Sequence, residues 1–363
     1  MKIRMAGEIV EIIEQRDDVS VVGVDVEGVL RRAWNLDELV GPARVGDRVL
    51  LNTAAVELLL GTGGLDFVAA NMRHRTYDQD VVGHIMKLRY TPLQFALNPV
   101  EAQENPAHRQ LRTVDSIDGM TVIAGGLHSQ LAPVCVTAKT VAPKVRIAYI
   151  MTDGGALPIA ISNLVRDLRR KGLLDVTITA GNAFGGDLET INIYSALATA
   201  KTVAKADLAV MMMGPGIVGT ATTLGHTGLE QGQLINAITA LGGRPVAVPR
   251  IFFADVRRRH HGVSHHTMTA LGKIALARAT VVVGAMRGSR AELVASQLHE
   301  AGIFTKHDVV VVENEVTLPA LRDSGISVTT MGRTPEQEPE YFGTAGAAAL
   351  WALGAGGAKK QAR

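Results

Sequence analysis

The sequence predicts an α/β protein: a small N-terminal β-barrel of the OB or SH3-like kind, followed by a doubly wound, mainly parallel α/β domain. Three observations carry this. The first ninety residues hold short β-branched runs separated by tight turns. From Met120 onward, apolar runs alternate with helical patterns. Those runs are near-continuous, Val309-Val310-Val311-Val312 being the clearest, as expected of strands covered on both faces.

In the first domain, assigned to residues 1–90, strands are predicted at 7–14, 19–26 and 28–34, with turns at Arg16-Asp17-Asp18 and Glu27-Gly28. Another, 45–52, is entered through Gly46-Asp47, and 84–90 is expected to close the barrel. These strands carry no aromatic platform and no marked basic excess, so nucleic acid is not an expected partner. Packing or homo-oligomerisation is the expected role. Residues 91–119 read as a connector punctuated by Thr91-Pro92, Asn98-Pro99 and Asn105-Pro106, because a residue before proline is pushed out of the helical region.

In the second domain, 120–355, strands are predicted at 121–124, 145–151, 176–180, 208–213, 245–249, 280–284, 308–313 and 327–331. Helix starts are expected at capping boxes, Thr227-Gly228-Leu229-Glu230 and Ser289-Arg290-Ala291-Glu292, and at Thr334-Pro335-Glu336-Gln337 with Pro at the first helical position. Eight such units also fit a TIM-type barrel, which is the alternative. The short helix at 317–323 and the early position of the glycine-rich loops favour the open sheet. Residues 356–363 read as a disordered tail.

Composition narrows the function. Lys plus Arg number 37 against 35 for Asp plus Glu, so no whole-protein field steers nucleic acid. A single cysteine, Cys135, sits in an apolar run and excludes an internal disulfide. The longest uncharged apolar stretches, 208–219 and 345–358, are shorter than the roughly 18 residues of a membrane span, and the N-terminus has no leader pattern. A cytoplasmic protein without membrane contact is expected. Glycine, at 38 of 363 residues, exceeds its average usage of about 7%.

The glycines cluster after the first four strands of the second domain. The loops are Gly125-Gly126-Leu127-His128-Ser129, Asp153-Gly154-Gly155, Gly181 onward through Gly185-Gly186-Asp187, and Gly214-Pro215-Gly216. Ligands of open α/β sheets bind at these strand ends, and glycine lets the backbone approach them. Gly154, Gly155, Gly185, Gly186, Gly214 and Gly216 are therefore candidate ligand-binding positions. Gly214-Pro215-Gly216-Ile217-Val218-Gly219 matches G-x-G-x-x-G, but no helix opens directly after it and no acidic residue ends the next strand, so NAD is not an expected cofactor. No P-loop occurs.

After the fifth strand, residues 250–267 hold four arginines and four of the eleven histidines. Ser264 is placed to cap a helix through Leu276, putting His265 and His266 in its first turn. One reading is an anion pocket, with Arg257, Arg258, Arg259, Ser264 and His266 as ligand contacts. A second is a divalent metal held by some of His260, His261, His265, Asp255 and His226, although the Glu of H-E-x-x-H is missing. A third is a structural histidine cluster. Catalytic candidates are His265, His261 and His128, with Asp153 and Asp187 as bases or metal ligands; turn chemistry explains either aspartate equally well. Ser129 reads as a helix cap, since neither it nor Ser264 fits the nucleophile elbow.

The stretches Gly126-Leu127-His128-Ser129-Gln130-Leu131-Ala132-Pro133-Val134, Thr152-Asp153-Gly154-Gly155-Ala156-Leu157-Pro158, 181–189, 214–222 and 260–267 resemble an uncharacterised bacterial family, domain of unknown function 3866. The resemblance spans the whole chain and implies no activity, substrate or catalytic residue. The residues themselves predict a hydrolase or group transferase acting on a small anionic metabolite, such as a nucleotide or sugar phosphate. The alternative is a non-catalytic ligand sensor using the same pocket.

Overall fold

The computed structural model describes residues 3–61, 63–74, 76, 83–356 and the backbone of 358–360. Two compact units divide between Leu97 and Asn98, inside the stretch expected to be a connector. Of the expected tail, residues 357 and 361–363 lie outside the described residues.

The first unit is a closed barrel of β1 (Arg4–Gln15), β2 (Val19–Val26), β3 (Val29–Leu36), β4 (Arg48–Asn52) and β5 (Asp66–Asn71). Its order is β1-β2-β3-β5-β4, and β4 returns to β1. The β3–β5 pair is parallel and the others are antiparallel, an OB arrangement. Two single-turn helices, α1 (Asp37–Val40) and α2 (Ala54–Glu57), precede β4 and β5. Ile9, Val22, Val24, Val49, Leu51 and Val68 fill the interior. Residues 84–90 do not close the barrel. Within them β6 (Ile85–Lys87) pairs with β7 (Phe95–Leu97) in a separate hairpin. The closing strand is β5, whose buried Asp66 carboxylate is held by Arg31 at 2.6 Å.

The second unit begins with a single turn, α3 (His108–Leu111), and is built on an open sheet, so the TIM-type alternative fails. Its strands are β8 (Thr121–Ala124), β9 (Ile147–Thr152), β10 (Val176–Thr179), β11 (Leu188–Glu189), β12 (Leu208–Met213), β13 (Arg244–Ala247), β16 (Thr280–Gly284) and β17 (Asp308–Val312). All eight run parallel, in the order β11-β10-β9-β12-β8-β13-β16-β17, and antiparallel β18 (Ala358–Lys360) extends the β17 edge. A small hairpin, β14 (Ile251–Phe252) with β15 (Gly262–Val263), lies between β13 and β16 in sequence. Residues 327–331 form no strand; Thr330 bridges only to Arg333.

Helices cover both faces. On one pack α4 (Leu131–Val141), α5 (Asn163–Arg170), α11 (Thr317–Ser324) and α12 (Pro339–Ala352). On the other pack α6 (Ile193–Thr202), α7 (Glu230–Ala240), α8 (His265–Thr269), α9 (Ser289–Glu300) and the short α10 (Ile303–Lys306). The chain therefore leaves β8 and β9 toward one face and β12 and β13 toward the other. Between such neighbours a crevice opens at the carboxyl ends of the strands, where ligands of this architecture bind.

Several helix starts differ from expectation. Thr227–Leu229 forms a 3-10 turn ahead of α7, and α9 starts after Gly288 without a side-chain cap. α12 starts at Pro339, not Pro335, because Thr334–Glu338 folds as a turn with Gln337 Oε1 accepting from Thr334 N. Ser264 does cap α8, accepting from His266 N. That helix ends at Thr269 and continues only as a π turn over Ala270–Ile274. The π turn presses on Gly232 of α7, where a Cβ would lie 2.5 Å from Ala270 O and 2.8 Å from Ala275 N.

Gly232 thus sets the approach of α7 to the histidine-bearing α8. In an unconstrained helix Gly→Ala stabilises by about 1 kcal/mol. Here the clash is with backbone, so Gly232→Ala should lower unfolding stability by about 1–3 kcal/mol in a denaturant titration. A gain would show that the two elements are not in close contact.

Candidate functional site

The site grows out of the crevice around β8, β12 and β13. Two buried glutamines pin its floor. Gln231 donates to Ala124 O and Val248 O, both at 2.9 Å. Gln130 Oε1 accepts from Gly126 N and Leu127 N. After β13 the chain doubles back through the β14–β15 hairpin. Arg250 N donates to Thr267 Oγ1 and Ser264 N to Arg250 O, 2.9 and 2.8 Å. This turn carries the first turn of α8 against Arg250. The loop after β12 makes its own small hairpin, Gly219 bridging to His226, which brings His226 to the same place.

Four imidazoles meet there. His226 stacks flat on His266, with ring centroids 3.8 Å apart and planes 9° off parallel. His265 meets His266 edge-on at 4.3 Å and His226 at 5.5 Å. His260 lies 5.0 Å from His265 and 5.2 Å from His266, and shares a 2.7 Å hydrogen bond with Ser264 Oγ. Burial holds all four below the usual imidazole range, most strongly His266 (about 2), then His260 (about 3) and His265 (about 4). The neighbouring guanidinium charges push the same way. At neutral pH these rings are uncharged.

Beside them Arg250 is 2% exposed. Burial pulls its guanidinium down to about 10, so it stays charged. Its Nη1 donates to His266 Nδ1 at 2.6 Å, and its Nε has no hydrogen-bond partner among the described residues. It also lies over the Phe252 ring. No carboxylate among the described residues is paired with it. The nearby acids are taken: Asp255 accepts from Arg257 and Arg333, while Glu338 accepts from Arg333, Phe253 N and Ala254 N. Arg250, Arg257, Arg259, His260 and His266 open onto a cavity of about 130 Å³. Ala221 and Met331, which also line it, have φ of +62° and +50°, a strained region for non-glycine residues that concentrates at functional sites.

The sequence candidates divide accordingly. His226, His260, His265, His266, Ser264, Arg257 and Arg259 converge here. His261 is exposed, its ring edge-on to Phe253 at 5.4 Å, and Arg258 is exposed away from the cavity lining. Asp255 reaches the site only as the partner of two arginines. Asp187 holds Arg169 and Thr177, and Asp153 accepts from Asn182 N, so both do turn and strand-end work. His128 is bound between Tyr149 Oη and Ser162 Oγ, while Ser129 hydrogen-bonds Tyr341 Oη instead of capping a helix.

The candidate glycines mostly serve packing. The amides of Gly185 and Gly186 donate to Glu189 Oε1. A Cβ on Gly155 would meet Gly214 O at 2.5 Å, so these loops touch backbone to backbone. Gly154 lies over Glu230, whose carboxyl burial raises to about 7. Gly216 takes φ +97°, and its segment runs into the Gly219–His226 hairpin instead of a helix. The glycines beside the site's side chains are others: Gly126 faces Arg250, Gly219 faces His266, and Gly228 faces His226 and His266. Sequence reasoning put Gly126 and Gly219 in its strand-end loops without singling them out, and missed Gly228, Arg250, Arg333 and Glu338 as site residues.

The buried imidazoles fix a pH dependence. His128 is held down to about 4 by burial, against 6.5 for the free group. Between those values the unfolded chain binds protons that the folded one refuses, so stability falls as pH drops from 6.5 to 4. His128→Gln should reduce that slope by about one proton in denaturant titrations across the window. An unchanged slope would mean that His128 titrates freely in the fold.

Among the described residues no helix is long and apolar enough to cross a membrane. No curated protein matches the chain. A family model described as "protein of unknown function (DUF3866)" matches residues 32–349, which take in the end of β3, β4 and β5 and nearly all of the α/β unit with its histidine–arginine crevice but not β1 or β2, so the expected whole-chain resemblance is shown only from residue 32, and the chain belongs to that family.

Proposed function

We propose that the crevice binds the anionic group of a small metabolite, and that the protein acts on it as a hydrolase or group transferase. Arg250 carries the proposal. A buried guanidinium without a carboxylate is expensive unless an anion compensates it, and the cavity it faces is lined by two further arginines. The volume, about 130 Å³, is the space of roughly four waters. It suits a phosphoryl or carboxylate head, the remainder of the ligand lying outside. Arg257 is already oriented by Asp255 at 2.8 Å, which leaves Arg250 and Arg259 as the unneutralised charges of the lining.

His260, uncharged at neutral pH, is the ring best placed to take a proton from a group attacking the bound anion. It lines the cavity, and its Nδ1 is oriented by Ser264. That orientation is the base-and-orienter geometry acid–base catalysis uses. His261 is too exposed for this role.

Arg250→Met separates binding from folding. In phosphate-free buffer its melting temperature should equal or exceed that of the unsubstituted protein, since an uncompensated buried charge is removed. The stabilisation by inorganic phosphate, about 2.7 kcal/mol at a hundred times Kd, should disappear. Both are read by thermal shift with a chelator present throughout. His260→Gln should keep the phosphate shift while losing turnover of phosphomonoesters. No phosphate or carboxylate shift in the unsubstituted protein would sink the proposal.

A further inference from the structure

We infer that His226, His265 and His266 form a binding site for a zinc-type divalent metal ion. One ring nitrogen from each lies within 4.8 Å of the others. A tetrahedral ion with bonds of 2.0–2.1 Å needs its nitrogens about 3.4 Å apart, so binding must draw the three rings together and turn the stacked His226 and His266 rings out of parallel. The second observation is independent of spacing. His226 is 6% exposed, and one contact of its ring with the Thr223 backbone leaves at least one of its nitrogens without a hydrogen-bond partner among the described residues, while His265 Nε2 is likewise buried and unpartnered. Buried polar atoms are paired in the great majority of cases, and an ion is one of the few explanations when they are not.

Imidazole suits borderline ions such as Zn²⁺ and Co²⁺, which take the neutral ring as ligand. Asp255, the candidate carboxylate of this segment, is held by Arg257 and Arg333 and is not a ligand. Three nitrogens leave one position open, the pattern of catalytic rather than structural sites.

Arg250 sets a condition. Its Nη1 donates to His266 Nδ1. If the ion takes Nδ1, it displaces the guanidinium. If it takes Nε2, the ring proton must sit on Nδ1, where Arg250 can no longer donate. Through either nitrogen, ligation requires Arg250 to let go. The metal and the Arg250–His266 hydrogen bond are alternatives, and an anion that draws Arg250 toward the cavity favours the ion.

The test uses tag-free, chelator-stripped full-length protein titrated with Co²⁺, followed by its visible absorption, and with Zn²⁺ by calorimetry, without phosphate. One ion per chain is expected. His226→Ala and His265→Ala should each weaken binding at least about 100-fold, and His261→Ala should leave it unchanged. Arg250→Met should bind about tenfold more tightly, the opposite of its effect on phosphate. If His226→Ala loses its melting transition, the less buried His265 carries the comparison. Failure of the unsubstituted protein to bind either ion, undiminished binding in His265→Ala, or weaker binding in Arg250→Met would each overturn the inference. The phosphate experiment, run in chelator, stands or falls separately.

Discussion

A positive charge buried without a negative partner is the constraint around which this crevice is organised. Arg250 is 2% exposed and donates to an imidazole, not to a carboxylate. Asp255, the carboxylate that acts on it, is held by Arg257 and Arg333, and Glu338 of the same network is held by Arg333 and backbone amides. The unbalanced field then falls on the histidines. Together with burial it keeps His260, His265 and His266 uncharged, so their lone pairs remain available. Asp255 still acts on Arg250 and His260 from a distance, raising both, but Arg257 beside it pushes them the other way, so its charge is largely spent on its arginine partners.

The winding of the sheet makes this burial feasible. Chains leaving β8 and β9 go to one face and those leaving β12 and β13 go to the other. Loops that part in this way leave the carboxyl ends of the central strands uncovered by their own helices. The β14–β15 hairpin and the Gly219–His226 bridge fold back into that gap. Gly232 admits the π turn against α7, and the four imidazoles come within ring contact. The stacking of Phe252 on Tyr341, at 4.8 Å, anchors the floor from the opposite face through α12.

Burial decided which parts of this were legible in the sequence. Strands such as 208–213 and 280–284 are apolar on both faces, so composition alone marks their ends. β11 is two residues long, and β5 begins at an aspartate whose burial depends on Arg31, a partner 35 positions away. The 327–331 run has strand composition but meets no neighbouring edge. Within the site, the histidines stood out because they are dense along the chain. Arg250 did not, because a buried arginine and the exposed Arg258 look alike until Thr267 and Ser264 are known to pair with the Arg250 backbone. Arg333 and Glu338 join from about eighty residues away, beyond any local signal.

The glycine excess shows why residue type underdetermines role. Glycine at a strand end suits either a ligand or another loop, because both require an approach that a Cβ forbids. Gly155 meets the backbone of Gly214, and the amides of Gly185 and Gly186 are occupied by Glu189, so loop packing already accounts for glycine at these positions. At Gly126, Gly219 and Gly228 the neighbours are side chains of Arg250, Gln231, His226 and His266. A side chain can move where a backbone cannot. At these three positions a Cβ would therefore press on the site's own side chains and not on another loop.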